Sequence, residues 1–460
     1  MPGRNSVENL SKQTRCDCRQ LEIAPAATLH TFKVSQIMTI LSRSQGCRGV
    51  LFVASLYICF SSHLKAADWP CFRGPTGEGF SSDENVPIEW ADTKNLKWKL
   101  KMPGKGFSSP IVVGDYVFVT CYSDADGDLK KLKRHLVCVQ NRDGKVVWSK
   151  VVPSAAPEVR APGFGIRHGY ASNTPVSDGE RVYVLFGNTG VLAFDMTGKQ
   201  LWQKNVGQEN STMFGSGASP ILYKDRLIVT SGAESESIRA LDKKTGKELW
   251  KAEAASLSRC YCTPLVVKNS KGTDELVISV PYEVWSLNPD NGKLNWYAET
   301  QVDTNSCPTV VSRDGIVYVI GGRSGGRAAI RTGGKGDVTA SNVLWSASGG
   351  SYVPSPVLHK GHLYWINDRG IAYCVDVKTG KEVAKKRING EFYASAVLIN
   401  DKLYVVSRFV GTYVFKATPE LTQIAHNKLS DDTDFSASPA VSNGQLILRS
   451  DKFLYCVQAE

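Results

Sequence analysis

Asp124-Ala-Asp126-Gly-Asp128 sets carboxylates at alternate positions, the spacing with which calcium loops gather oxygen ligands. No Glu follows at the loop-closing position, so a solvated turn is the simpler reading. His359 and His362 flank a Lys-Gly turn without a third metal ligand and read as surface histidines. The glycine-rich GGRSGGR (321–327) and Gly333-Gly334-Lys335-Gly336 lack the phosphate-loop order and a following helix, which leaves an irregular hairpin. Cys260-Tyr261-Cys262 places two thiols on one strand face at an awkward distance for a bridge. The cysteines after residue 67 do not follow zinc spacing. Cys307 takes the Ser position of a Ser-Pro motif, while Cys138, Cys374 and Cys456 stand where other repeats carry Ala193, Ala240 and Ser286, as small core residues. One aromatic pattern is more suggestive. Phe107, Tyr170, Phe214, Tyr261, Tyr352, Tyr393 and Phe435 each lie three to six residues before a Ser/Thr-Pro motif or its variant. If those segments converge, they rim a funnel to which Arg160, Arg167, His168 and Arg259 add anion-binding donors. Arg259 and Tyr261 form the best pair, a guanidinium beside an aromatic face. Packing between repeats is the competing reading.

The elements that must position these residues recur. The Ser/Thr-Pro motif or its variant falls at Pro110, Pro175, Pro220, Pro264, Pro308, Pro356, Ala396 and Pro439, with gaps of 65, 45, 44, 44, 48, 40 and 43 residues. A period of this length signals propeller blades. After each motif comes an apolar strand, a turn and a second strand, as in PVSDGERVYVLFG (175–187). A third strand then runs through a glycine turn into a fourth, as in RALDKKTGKELW (239–250) and WSLNPDNGKLNW (285–296). Trp148, Trp202, Trp250, Trp296 and Trp345 end the fourth strands, where a large ring can dock on the adjacent blade. Trp98 precedes the first repeat, and the last repeat stops at Tyr455-Cys456-Val457 without a fourth strand. The expected fold is therefore all-β: an eight-bladed propeller of four-stranded blades over residues 68–460, closed by pairing of N- and C-terminal strands.

The Asp/Asn-x-x-(x)-Gly-Lys-x-x-Trp copies followed by Ser-Pro resemble the repeats of pyrroloquinoline-quinone (PQQ) dehydrogenases and of the outer-membrane assembly propeller lipoprotein. DWPCFRGPTGEG (68–79), GGKGDVT (333–339) and LRSDKFLYCV (448–457) are similar to exported planctomycete propellers without an established activity. For the dehydrogenases, the resemblance implies a cofactor between a Trp floor and a disulfide of adjacent cysteines, a Glu/Asn/Asp calcium site and a catalytic Asp. This chain has no Cys-Cys pair and lacks the inserted loops. Sugar dehydrogenases on related scaffolds also lack that pair.

Residues 1–67 read as an N-terminal extension and signal peptide, with Met38 a possible true start. The apolar run VLFVASLYICF (50–60) follows Arg43 and Arg48 and leads to Lys65-Ala66-Ala67. It is short for a membrane span of about twenty residues. Without this segment, which carries eight Lys/Arg and three Asp/Glu, the formal charge of +11 falls by 5 to +6. No basic cluster interleaved with aromatics marks a nucleic-acid surface. Two functions are expected. The first is an exported, non-catalytic binding or scaffolding propeller of the periplasm or cell envelope, taking an envelope protein or a small-molecule or carbohydrate ligand. It needs no cofactor and, after signal cleavage, no place in the membrane. The second is a quinone-dependent dehydrogenase of an alcohol or sugar, requiring PQQ and calcium.

Overall fold

Alternating apolar and polar residues with short glycine turns give strands paired by tight hairpins. The computed structural model describes residues 68–124, 128–154, 158, 170–208 and 214–460. These form eight sheets, each with a core of four antiparallel strands running from the central axis to the rim in chain order, except in the last. Blade 3 is representative: Ile221–Tyr223 innermost, then Arg226–Ser231, Ser237–Asp242 and Glu248–Glu253. Second and third strands are covered by neighbouring blades on both faces and are almost wholly buried. Outer strands alternate, as Val146–Pro153 of blade 1 does, because only one face meets a neighbour.

The repeated tryptophans lock blade to blade. On blade 3, Trp250 stands opposite Ala240 of the third strand. Its ring lies against Gly292 of blade 4, where an added Cβ would come within 2.5 Å of it. Its Nε1 donates to Pro289 O at 3.1 Å. Trp98, Trp148, Trp202 and Trp345 repeat this with Asn141, Met196, Lys243 and Val377 of the next blade. A small residue is therefore needed opposite each ring, which explains Cys138 facing Trp148 and Cys456 facing Trp98. Trp296 departs from the pattern and donates to the Glu275 carboxylate instead. Blade 5 lacks the usual turn there; its GGKGDVT insertion sends Gly336–Asp337 alongside Leu294–Glu299 as a parallel fifth strand of blade 4.

Ring closure follows the sequence expectation. Leu96–Lys101 pairs antiparallel with Phe453–Gln458 as the outer strand of blade 8, joining both ends of the described chain in one sheet. Among the described residues no helix is long and apolar enough to cross a membrane.

Candidate functional site

The innermost strands point their alternate residues at the axis, because side chains of an extended chain repeat with a period of two. This creates two tiers. The deeper tier is the Ser or Thr of the Ser/Thr-Pro motif, and its hydroxyls join the blades. Ser109 N–H donates to Thr174 Oγ1 (2.9 Å), Thr174 N–H to Ser219 Oγ (3.0 Å) and Ser219 N–H to Thr263 Oγ1 (3.0 Å). The chain of bonds resumes from Thr309 N–H to Ser355 Oγ (3.0 Å), then to Ser395 (3.0 Å) and Ser438 (2.9 Å), and returns to Ser109 (3.1 Å). The motif is thus a buried hydrogen-bonded hoop, open only between blades 4 and 5, where Thr309 Oγ1 accepts nothing.

This register corrects the reading of Cys307. Blade 5 enters the hoop through Thr309, two residues later, so Pro308 imitates the motif without occupying it. Cys307 belongs to the upper tier with Phe107, Tyr261, Val353 and Tyr393, two positions before the hoop. Burial pushes its thiol up to about 12, so it stays protonated. All eight described cysteines are free.

Both tiers line one cavity of about 200 Å³ on the propeller axis. Its far end is crossed by Trp69–Ser81, which binds inner strands one to three residues beyond the hoop. Trp69 exchanges backbone bonds with Val112 of blade 1 (2.8 and 2.9 Å), and Pro70 O accepts from Ser177 of blade 2 (2.9 Å). Glu78 accepts from Ser312 N of blade 5 (2.5 Å), Arg73 donates to Pro356 O of blade 6, and Phe80–Ser81 pairs parallel with Leu398–Ile399 of blade 7. Phe72 of this strap lines the cavity. From upper tier to strap is five residues of strand, about 16 Å at about 3.3 Å per residue. The channel is therefore a blind funnel.

Its charge is positive in character. Arg323 lines the cavity from the GGRSGGR hairpin, with its guanidinium 5.2 Å from the Tyr352 ring centroid. Tyr352 holds that guanidinium above its ordinary pKa. Among the described residues no Asp or Glu lines the cavity. Two further arginines are fully buried beside it. Arg73 follows Phe72, and Arg449 Nη1 donates to the carbonyl (2.7 Å) and hydroxyl (2.6 Å) of Ser108, next to the hoop residue Ser109. Burial pushes both guanidinium groups down to about 10, against the pull of Glu78 on Arg73 and of Cys121 and Asp451 on Arg449. Each keeps two nitrogens without a hydrogen-bond partner. Near the blade 2 and 3 wall, burial raises the pKa of the Glu234 carboxyl, while Ser216, Arg134 and Arg239 pull it the other way.

The structure brings together Phe107, Phe214, Tyr261, Tyr352 and Tyr393 of the expected funnel. Tyr170 stays outside the cavity, edge-on to Tyr122 with its carbonyl accepting from Arg134 Nε. Phe435 stacks on Tyr455 beneath blade 8, a packing role. Arg259 ends a helical turn, exposed and away from the cavity lining, so it is not the guanidinium that accompanies the rings; Arg323 is. Arg160, Arg167 and His168 lie outside the described residues, as does Asp126. Asp124 pairs with Lys133 (3.0 Å), and Asp128 caps the turn at Lys130 N. Among the described residues no three His, Cys, Asp or Glu side chains are grouped to hold a metal ion. His359 pairs with Asp401 at 2.9 Å. Sequence reasoning missed Phe72 and Arg323, although both lie in segments it had singled out.

Eight four-stranded blades, tryptophan-locked and hooped by Ser/Thr-Pro, define a propeller of PQQ-like repeats. The chain belongs to the family described as outer membrane protein assembly factor BamB, which matches over residues 132–386, more than half of its length. A protein of that description from Yersinia pestis is 23% identical over 289 residues, covering 59% of this chain; the match spans only 64% of that relative. BamB from Moraxella catarrhalis has a similar structure, with a TM-score of 0.58 at 14% identity over 79% of this chain and 97% of its own. A quinohemoprotein alcohol dehydrogenase from Pseudomonas putida HK5 gives 0.55 at 10% identity over 86% and 81%. At such identities these two likenesses establish the fold alone.

Proposed function

We propose that this chain is an exported, non-catalytic binding or scaffolding propeller of the periplasm or cell envelope, which takes its ligand at the axial funnel. The observation that carries this reading is the blind, pre-formed cavity, walled by aromatic rings and hydroxyls and floored by the strap. Concave sites of this kind, apolar with a few converging polar groups, bind without needing an acid, a base or a metal. Membership of a family described by an assembly factor agrees with a partner in the envelope. A quinone dehydrogenase is the second reading, favoured only by the shared architecture, which does not dictate activity.

Purified protein incubated with pyrroloquinoline quinone and calcium, then offered alcohols and sugars with an artificial electron acceptor, separates the two. No substrate-dependent dye reduction is expected; reduction that tracks added quinone would replace the binding reading with the redox one. Export is tested by N-terminal sequencing of mature protein, which is expected to begin near Asp68. A cytoplasmic product that keeps residues 1–60 would sink it.

A further inference from the structure

Each hoop hydroxyl except that of Thr309 uses its oxygen to accept a backbone N–H from the preceding blade. The hydroxyl proton is then the group that remains to be satisfied, since a Ser or Thr hydroxyl donates one bond as well as accepting. For Ser109, Ser219, Ser355 and Ser395 no acceptor for that proton occurs among the described residues, and all four line the cavity while being nine-tenths or more buried. The hoop therefore presents inward-facing donors with nothing to receive them.

Charge reinforces this. Arg73 and Arg449 sit beside the same tier, each with two buried nitrogens unsatisfied. Glu78 and Asp451 lie within electrostatic range but beyond ion-pair distance. Burying unpaired guanidinium groups is costly, and an anion nearby offsets that cost. Arg323 at the mouth has no carboxylate within ion-pair distance among the described residues. Asp303, from the loop before its hairpin, is bonded to Ser324 (2.5 Å), and Asp368 lies within electrostatic range of Cys307, Tyr352 and Tyr393 without an ion pair to Arg323.

We propose, on the basis of the binding reading above, that the funnel is an oxyanion site for a one-ring ligand. A carboxylate, sulfate ester or phosphate ester descends to the hoop hydroxyls, its apolar body lies between Tyr261, Tyr352 and Tyr393, and Arg323 draws it in. Charge-assisted bonds to several donors outweigh what a neutral hydroxyl ligand could make there. A cavity of about 200 Å³ has room for one ring.

Calorimetric titration of the purified protein with benzoate, phenyl phosphate, inorganic sulfate and benzyl alcohol tests this. Benzoate or phenyl phosphate is expected to bind one to one, at least about tenfold tighter than benzyl alcohol, and more weakly as salt rises. The stronger of the two identifies the oxyanion class; inorganic sulfate is expected to bind more weakly for want of a ring. Arg323→Gln, at an exposed position, should cost anion affinity about threefold or more without lowering the melting temperature. Ser395→Ala should cost anion affinity by a similar factor in a protein still folded at the assay temperature, although it lowers the melting temperature. Equal affinity for benzyl alcohol, an unaffected Arg323→Gln variant, or no binding of either aromatic anion would overturn the proposal. A neutral-ligand preference would leave the binding reading standing, whereas quinone-dependent dye reduction would remove that reading by itself.

Discussion

Ser355 N–H ends on the Ser395 hydroxyl, and both groups are buried. Ser395→Ala leaves that N–H with no acceptor, which costs about 1–3 kcal/mol because the group cannot regain water. Thr309→Ala at the open junction removes an oxygen that accepts nothing, so chemical denaturation should show a clearly smaller loss for it. Equal losses would mean that the hoop bonds do not hold the blades. Glu234 provides a pH readout. Its folded-state pKa is raised by burial, so the folded protein binds its proton more tightly than the unfolded chain does. Its contribution is complete below the ordinary carboxylate pKa and is lost as pH climbs toward the raised value. Glu234→Gln should flatten that part of the stability–pH curve and leave the protein at least as stable at pH 7; an unchanged slope would contradict the assignment.

At the scale of elements, the fourth strand and the next blade's turn act as one joint. Gly246 has φ +71°, and a Cβ there would come within 2.7 Å of the Trp202 ring. Gly361, at φ +79°, has open space around it. Gly361→Ala therefore reports the backbone cost alone, about 1–2 kcal/mol, while Gly246→Ala adds displacement of the ring from its seat under Lys243 O. The expected result is a larger fall in melting temperature for Gly246→Ala. If the two match, the tryptophans pack without joining the blades. Three of the five joints, those of Trp148, Trp202 and Trp250, were readable as Gly-Lys-x-x-Trp, since a ring, a small residue and a glycine are local signals. The departure at Trp296 was not, because it depends on what blade 5 brings alongside.

For the whole molecule, the strand Leu96–Lys101 decides whether the ring is closed. Removing residues through Met102 exposes the edge of Phe453–Gln458, whose Leu454, Tyr455 and Cys456 are fully buried in the intact ring. An unpaired apolar edge recruits other chains. The truncated protein should aggregate in light scattering and melt at a lower temperature; unchanged melting and solubility would show that the ring does not depend on this strand.

Period, alternation and glycine turns determined the all-β class, the eight blades and the closing strand, because each blade is a local unit that repeats a pattern of burial. The funnel's aromatic residues were partly legible for the same reason, as Phe107, Tyr261, Tyr352 and Tyr393 recur three or four residues before a motif. Tyr170 and Phe435 lie five and four residues before theirs yet turn away to pack on Tyr122 and Tyr455. Tertiary structure alone decided that Thr309 rather than Cys307 joins the hoop, that Arg323 rather than Arg259 reaches the cavity, and that Trp69–Ser81 makes a channel blind. Those facts rest on contacts between residues tens to hundreds of positions apart, as in Arg73 with Pro356. No spacing within a single repeat carries them.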